Sequence, residues 1–258
     1  NPNANILVTP AAHLILQEDA FDEAICRSLD YVKAHPKLVT LGVRPSRPET
    51  GYGYIQFTDV EDEHFVKVKT FTEKPNIEMA KVFYESGEFL WNSGMFAWNV
   101  QTILDAFHQY LPSLTSILDE VKGAYATDEE QSRVSQVFSE CPNISIDYAV
   151  LEKADNVMVL PVDFGWADLG TWGSLYELKR EEPSANVALH TKALFYEAEG
   201  NIVSLDGDPE NQLVVVQGIN DCIVAQSKGV LLICKRDEEQ RIKEFMGEAS
   251  VQFDKKFD

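Results

Sequence analysis

An α/β domain followed by a smaller β-rich part is the fold class this sequence predicts. Three observations predict it. Strand, helix and strand alternate over residues 5–43, further helices and a strand follow to residue 161, and beyond Ser184 the chain breaks into short apolar pieces punctuated by Gly and Asn. The change of texture falls at Glu181-Glu182-Pro183-Ser184, so the expected domains are 1–182 and 183–258.

Each element has its own signal. Asn5 to Thr9 is a short apolar run, read as a buried strand. Over Glu18 to Ala34, Ala20, Phe21, Ala24, Ile25, Leu29 and Val32 recur at helical spacing on one face. Lys37 to Val43 is the second strand, and the spacing predicts a βαβ unit with a parallel pair. Tyr54 to Thr58 and Glu63 to Phe71 are expected to pair, turning at Asp59 to Asp62. A helix is expected over Asn76 to Ser86. Phe89 to Trp98 is strand-like, although Asn-Ser-Gly is unusual inside a strand. Helices are expected over Val100 to Tyr110, Ser113 to Lys122 and Asp128 to Ser139. A short one over Ser145 to Lys153 has Ser145 as its N-cap, and Asn156 to Pro161 is a strand. Six short β pieces then run from Val187 to Cys234, and Asp237 caps a closing helix to Met246.

Composition narrows the function classes. The 258 residues are 45% hydrophobic and 25% charged, ordinary values for a globular protein, and no apolar run approaches a membrane span. The net charge of −20 repels nucleic acid, yet it leaves room for phosphorylated small molecules, whose sites need only a few placed cations or a metal. Cys26, Cys141, Cys222 and Cys234 are widely separated and form no CxxC pair, so a reducing, cytoplasmic setting is expected. The start carries no signal-peptide pattern.

Four segments break the local rules for packing. Glu49-Thr-Gly-Tyr-Gly-Tyr54 puts two glycines around a tyrosine before a strand, which permits close backbone approach to a ligand. Phe71-Thr-Glu-Lys-Pro75 ends a strand with an acceptor for hydroxyls, Glu73, and a cation, Lys74. Trp91-Asn-Ser-Gly-Met95 offers neutral donors and acceptors suited to a polyol. Phe164-Gly-Trp-Ala-Asp-Leu-Gly-Thr-Trp172 holds Asp168 just after a strand, where open α/β sheets bind ligands, and Mg²⁺ typically takes one or two carboxylates plus substrate phosphates. Asp168 as the N-cap of a helix from Leu169 is the plainer alternative. Asp147 and Lys153 lie six apart, so a single helix would not align them on one face.

Taken in order, LVTPxxH, LVTLGVRPSRPETGYGYI, FTEKP, WNSGMFAW, SIDYAVLEK and GWADLGTW resemble the mannose-1-phosphate guanylyltransferases, a branch of the sugar nucleotidyltransferases. The resemblance implies a Rossmann-like nucleotidyltransferase domain, N-terminally incomplete, with a small β-helix-like C-terminal part. It implies GMP transfer from GTP to mannose 1-phosphate, with Mg²⁺. Carried over residue by residue, it makes Asp168 the metal-binding and catalytic carboxylate and Lys153 the second catalytic residue. Tyr52, Gly53, Glu73, Lys74, Asn92, Gly94 and Asp147 become the substrate-binding set. It implies no nucleic-acid or membrane partner and leaves room for a homo-oligomer. Two departures stand out: Ala12 occupies the place of a second metal-binding Asp, and the family's N-terminal Gly-rich signature is missing. The resemblance, as far as this sequence runs, leads to the expectation of a form without the cupin-like isomerase fusion. A non-catalytic sugar-phosphate-binding paralogue and a nucleotidyltransferase for another sugar 1-phosphate therefore remain as alternatives.

Overall fold

The computed structural model describes residues 1, 3–60 and 64–253. By internal packing the chain divides into two units. One holds Asn1–Ala11 and Ile15–Gly165; the other holds Ala12–Leu14 and the chain from Trp166 onward.

The first unit is built on a six-stranded mixed sheet. Its strands are β1 (Asn5–Val8), β3 (Leu38–Val43), β4 (Tyr54–Val60), β5 (Val66–Thr72), β6 (Phe89–Asn99) and β7 (Val157–Val162), after a short β2 (His13–Ile15). They lie in the order β1-β6-β3-β7-β5-β4. Because β4 also pairs with β6, the strands β6, β3, β7, β5 and β4 close into a ring.

The expected βαβ unit is corrected in one respect. Strand β1, helix α1 (Glu18–Ala34) and β3 follow as read, but β1 and β3 each pair antiparallel with β6, which lies between them. The parallel partner of β3 is β7, from the far side of the sequence. Both β3 and β7 are buried on both faces, which is why they read as unbroken apolar runs. Gly42 on β3 has no room for a side chain: a Cβ there would stand 2.6 Å from Val159 Cγ2 and 2.7 Å from Leu90 Cδ1.

Strand β6 organises this unit. On one edge it pairs with β3. On the other it pairs with β1 through Phe96 to Asn99 and with β4 through Phe89 to Trp91. Residues 92–95 have no strand opposite them on that second edge. Along β3 the register shifts there too, with Phe96 opposite Thr40 and Asn92 opposite Gly42, so four steps of β6 match two of β3. Such a bulge leaves backbone groups without ladder partners, and the Asn-Ser-Gly run supplies replacements. Ser93 Oγ donates to Leu41 O at 2.7 Å and accepts from Met95 N at 3.2 Å, while Thr40 Oγ1 donates to Met95 O at 3.4 Å. Gly94 takes φ +70°, open to glycine at little cost.

Helix α2 (Ile77–Ser86) starts at Asn76, whose side chain accepts from Met79 N at 2.9 Å, and stops at Gly87 in the left-handed region. Helices α3 (Val100–Tyr110), α4 (Pro112–Asp119) and α5 (Glu130–Phe138) follow as read, within two or three residues. The expected helix at Ser145 is instead a wide π-type turn over Asp147–Leu151, and Ser145 is not a cap in good geometry, its Oγ being 3.5 Å from Tyr148 N. Burial of Ala149, Val150 and Leu151 against Leu38, Phe96, Trp98, Ile103 and Val157 anchors this turn. The expected turn at Asp59 to Asp62 falls partly outside the described residues.

In the second unit, Ala12–Leu14 joins β8 (Trp166–Asp168) as a small ladder with β2. Helix α6 (Trp172–Lys179) is capped by Thr171, whose side chain accepts from Ser174 N. Strands β9 (Val187–Leu189), β11 (Ile202–Leu205) and β13 (Cys222–Ser227) pair in parallel, with β14 (Val230–Lys235) antiparallel at the edge. Strands β10 (Lys192–Tyr196) and β12 (Leu213–Gln217) form a separate parallel pair. From β9 to β13 successive strands thus alternate between two sheets, the winding expected of a β-helix-like part. Asn201, fully buried, ties the coils: its Nδ2 donates to Asn186 Oδ1 and Ile219 O, and its Oδ1 accepts from Cys222 N. Asp237 does not cap the last helix; a 3₁₀ turn over Arg236–Arg241 precedes α7 (Ile242–Gln252). Among the described residues no helix is long and apolar enough to cross a membrane.

Candidate functional site

The break in pairing along β6 is where the expected substrate residues meet. Asn92 N donates to Gly53 O at 2.8 Å, which carries the β4 ladder one step beyond Tyr54. The Asn92 side chain then reaches Asp147, its Nδ2 donating to Oδ1 at 2.8 Å, while its Oδ1 accepts from Gly94 N at 3.1 Å. The π-type turn is what brings Asp147 to β6, and turns of this kind often mark functional sites.

Glu73 arrives from the end of β5. Lys74 adopts φ +40°, a left-handed conformation that costs a non-glycine residue about 1–3 kcal/mol. Pro75 and the Asn76 cap redirect the chain into α2. The Glu73 carboxylate comes so close to Gly53 that a Cβ on Gly53 would stand 2.6 Å from Glu73 Oε2. A side chain at position 53 would push the Glu73 carboxylate out of this position.

Two partly buried carboxylates that feel each other's charge, one of them held by the Asn92 amide, make an unusual environment. Burial pushes the Glu73 carboxyl above the usual range; the Asp147 charge adds to this, and Lys74 opposes it. Burial also raises Asp147, against the hydrogen bond from Asn92. Carboxylates in such a setting accept hydrogen bonds from hydroxyl groups, the recognition a polyol needs.

Tyr52 packs edge-on against Trp91, ring centroids 5.2 Å apart, and is buried. Trp91 and Asn92 are neighbours on a strand, so Tyr52 supports the face of β6 opposite Asn92. The loop before it is held by groups the sequence reading passed over. Arg47 Nη2 donates to Glu49 Oε2 at 2.7 Å and its guanidinium lies 5.3 Å from the Trp91 ring centre. Glu49 Oε1 accepts from Gly51 N, and Glu49 N donates to the Tyr54 hydroxyl. An Arg and a Glu two residues apart beside Gly-Tyr-Gly was the available signal. Thr40, buried beside Asn92, was missed because it reads as an ordinary strand residue.

Like Tyr52, the expected residues Lys153 and Asp168 stand outside this contact set. Lys153 is exposed just past the π-type turn, and its side chain pairs with none of the described residues. Asp168 belongs to the second unit. Its Oδ1 accepts from Gly170 N at 2.8 Å, and with Thr171 capping α6, Asp168 is not a helix N-cap. His13 Nε2 lies 3.9 Å from the same oxygen, and His13 Nδ1 accepts from Trp166 Nε1 at 3.0 Å. Burial lowers the His13 pKa, and the Asp168 charge partly restores it.

The donor set beside Asp168 is sparse. Leu169 N donates to Ala12 O at 3.1 Å, so position 12 adjoins the Asp168 turn and presents only a methyl group. No group of three or more His, Cys, Asp or Glu able to hold a metal occurs among the described residues. Asp168 Oδ2 carries no hydrogen bond from the described residues, and its side chain is 29% exposed. That fits a Mg²⁺ site supplied by one protein carboxylate, with water and phosphate oxygens as the other ligands.

The family model for nucleotidyl transferases matches residues 1–184, and the chain belongs to that family. Among its relatives is the mannose-1-phosphate guanylyltransferase of Escherichia coli K12, 37% identical over 243 residues, covering 92% of this chain and 50% of that protein. The mannose-1-phosphate guanylyltransferase ManC of Salmonella typhimurium is 36% identical, over 92% of this chain and 49% of its own. A solved structure from Thermus thermophilus, titled a mannose-1-phosphate geranyltransferase, superposes with a TM-score of 0.78 at 30% identity, over 95% of this chain and 70% of that one. The resemblance carried by the six motifs is borne out by these relatives. The chain spans about half the length of the curated relatives it matches.

Proposed function

We propose that this chain carries the sugar-binding part of a mannose-1-phosphate guanylyltransferase, whose reaction joins GTP and mannose 1-phosphate into GDP-mannose and pyrophosphate. The observation that supports this most directly is the convergence of Gly53, Glu73, Asn92 and Asp147 at the unpaired stretch of β6. Glu73 and Asp147 accept from the mannose hydroxyls, and Asn92 holds Asp147 in place. A sugar phosphate would be repelled by these carboxylates, so its phosphate lies toward cations; Lys74 and Lys153 are the exposed candidates that follow each carboxylate in sequence.

The chemistry is displacement at phosphorus. A phosphate oxygen of mannose 1-phosphate forms a bond to the α-phosphorus of GTP, and the bond from that phosphorus to the bridging oxygen breaks, releasing pyrophosphate. Positioning and charge neutralisation carry such a reaction, with no covalent enzyme intermediate. Asp168 would hold Mg²⁺, which when bound neutralises the charge on the phosphate oxygens. Lys153 would stabilise the attacking phosphate as a fixed cation. A reducing, cytoplasmic setting suits these substrates.

Calorimetric titration of the 258-residue chain with mannose 1-phosphate tests the pocket. Binding that weakens at least tenfold in Glu73→Ala is expected; no heat at millimolar ligand, or an unchanged affinity in the variant, removes the assignment. Ala12 favours a second reading, a sugar-phosphate-binding relative with little catalysis, because the methyl group adjoins Asp168 where the family resemblance expects a carboxylate. Ala12→Asp separates the two. Stronger Mg²⁺ binding with a gain in turnover supports the catalytic reading, and stronger binding without turnover supports the other.

A further inference from the structure

His13 and Trp166 stand beside Asp168, and the proposed reaction gives neither of them a role. An indole N–H only donates, and Trp166 Nε1 lies 3.0 Å from His13 Nδ1. Nδ1 must therefore be the bare, accepting nitrogen. A proton on Nδ1 would set two donors against each other between side chains that are each only 9% exposed. The imidazole proton is then on Nε2, the nitrogen that faces Asp168 Oδ1 at 3.9 Å. That separation exceeds a direct hydrogen bond, so the N–H and the carboxylate flank a gap rather than close it. The rings meet edge to face, with centroids 5.1 Å apart and planes at 88°, which holds the imidazole in this orientation.

We infer that Trp166 fixes His13 as the Nε2–H tautomer, making His13 a hydrogen-bond donor toward the anionic oxygens gathered at Asp168 and not a metal ligand. Both ring nitrogens are committed, one by the indole proton and one by its own. His13 is a positioning residue. It orients negative oxygens beside Asp168, and Trp166 acts through it. A metal-ligating imidazole coordinates through its bare nitrogen and donates its one N–H outward; here the indole occupies the bare nitrogen and the N–H faces Asp168.

The inference rests on the reading of Asp168 as the metal carboxylate only for its consequence, and the tautomer can be measured without substrate or turnover. In long-range ¹H–¹⁵N spectra of the chain, His13 is expected to show a protonated Nε2 and a bare Nδ1. A scalar coupling between Trp166 Nε1 and His13 Nδ1 is expected across the hydrogen bond. Addition of Mg²⁺ should leave both signals in place. A protonated Nδ1, no coupling, or loss of the Nε2 proton on adding Mg²⁺ would overturn the inference. Trp166→Phe keeps the ring and removes the donor. It should abolish the coupling and weaken Mg²⁺ binding about tenfold, the usual scale for outer groups that orient a metal ligand. His13→Gln, which can present an N–H in the Nε2 position, should bind Mg²⁺ more tightly than His13→Ala; equal weakening by the two would count against a donor role. If the tautomer is as inferred but Mg²⁺ does not bind at all, the metal reading of Asp168 fails and the tautomer lock stands.

Discussion

Asn92→Asp tests the heart of the proposed sugar site with a nearly isosteric change. It replaces the Nδ2 that donates to Asp147 Oδ1 at 2.8 Å by an oxygen. The other oxygen can still accept from Gly94 N. Two ionised carboxylates at that separation repel by about 6 kcal/mol at an effective dielectric near 20, so one of them takes up a proton. Holding a proton at pH 8 on a group whose unfolded pKa is about 3.9 costs about 5.6 kcal/mol, at about 1.36 kcal/mol per unit. At pH 5 the same cost is about 1.5 kcal/mol. Solvent at the open pocket screens part of the repulsion, so a loss of about 3 kcal/mol at pH 8 is expected, shrinking to about 1 kcal/mol at pH 5. Urea denaturation of wild type and variant at the two pH values reads this directly. The double variant Asn92→Asp with Asp147→Asn exchanges donor and acceptor and should recover most of the loss. A single variant as stable as wild type at pH 8, or equally destabilised at both pH values, would show that Asn92 and Asp147 do not make this bond.

Glu73→Gln should act in the opposite sense on stability. The Glu73 carboxyl is raised in the folded chain, chiefly by burial, so its contribution is fully present below the unfolded pKa of about 4.3 and is lost as pH rises through the folded value. The variant should lose less stability than wild type between pH 4 and pH 7 in urea titrations, while binding mannose 1-phosphate more weakly. A steeper loss than wild type would contradict the burial. Gly42→Ala places a methyl group 2.6 Å from Val159 Cγ2, and overpacking of this kind should cost about 1–3 kcal/mol in denaturant midpoint measurements; an unchanged midpoint would mean the ring of strands is looser than described.

Much of the fold was legible because local pattern and tertiary role agree. Helix α1 carries its apolar stripe where β1, β3, β6 and β7 receive it, and β3 and β7 read as apolar runs because both their faces are covered. The partner of β3 was not legible. Pairing is chosen by the whole sheet, and β6 enters between β1 and β3 from some fifty residues downstream of β3. Strand β8 was also hidden, since a strand of three residues gives no periodicity and the ladder depends on His13–Ile15 far away. The caps divide the same way. Asn76 satisfies a donor within its own turn, whereas Ser145 sits before a turn whose width is set by the packing of Ala149, Val150 and Leu151. In the site, Asn92 could be singled out because it stands inside an apolar run and Glu73 because it closes a strand beside Lys74, while Asp147 was reached only through the family resemblance. Thr40 could not, because its role exists only once β6 has bulged, and the Arg47–Glu49 pair shows in the sequence only as two charges beside Gly-Tyr-Gly.

The bulge gives the site its location for a physical reason. A strand whose two edges are fully paired offers its backbone to no ligand. Strand β6 loses its partners on one edge between the end of β1 and the start of β4, and on its other edge it gains two residues against β3. Backbone groups freed in this way must be satisfied, and Ser93, Thr40 and the Asn92 side chain do so. The polar residues that make the irregular strand tolerable are therefore adjacent to, or identical with, those that face the proposed sugar. Asn92 is the case in point: one end of its amide closes the turn at Gly94, and the other holds Asp147. Stability and binding should consequently be coupled at Asn92 and separable at Glu73, whose carboxylate meets Gly53 at the rim and completes no backbone ladder.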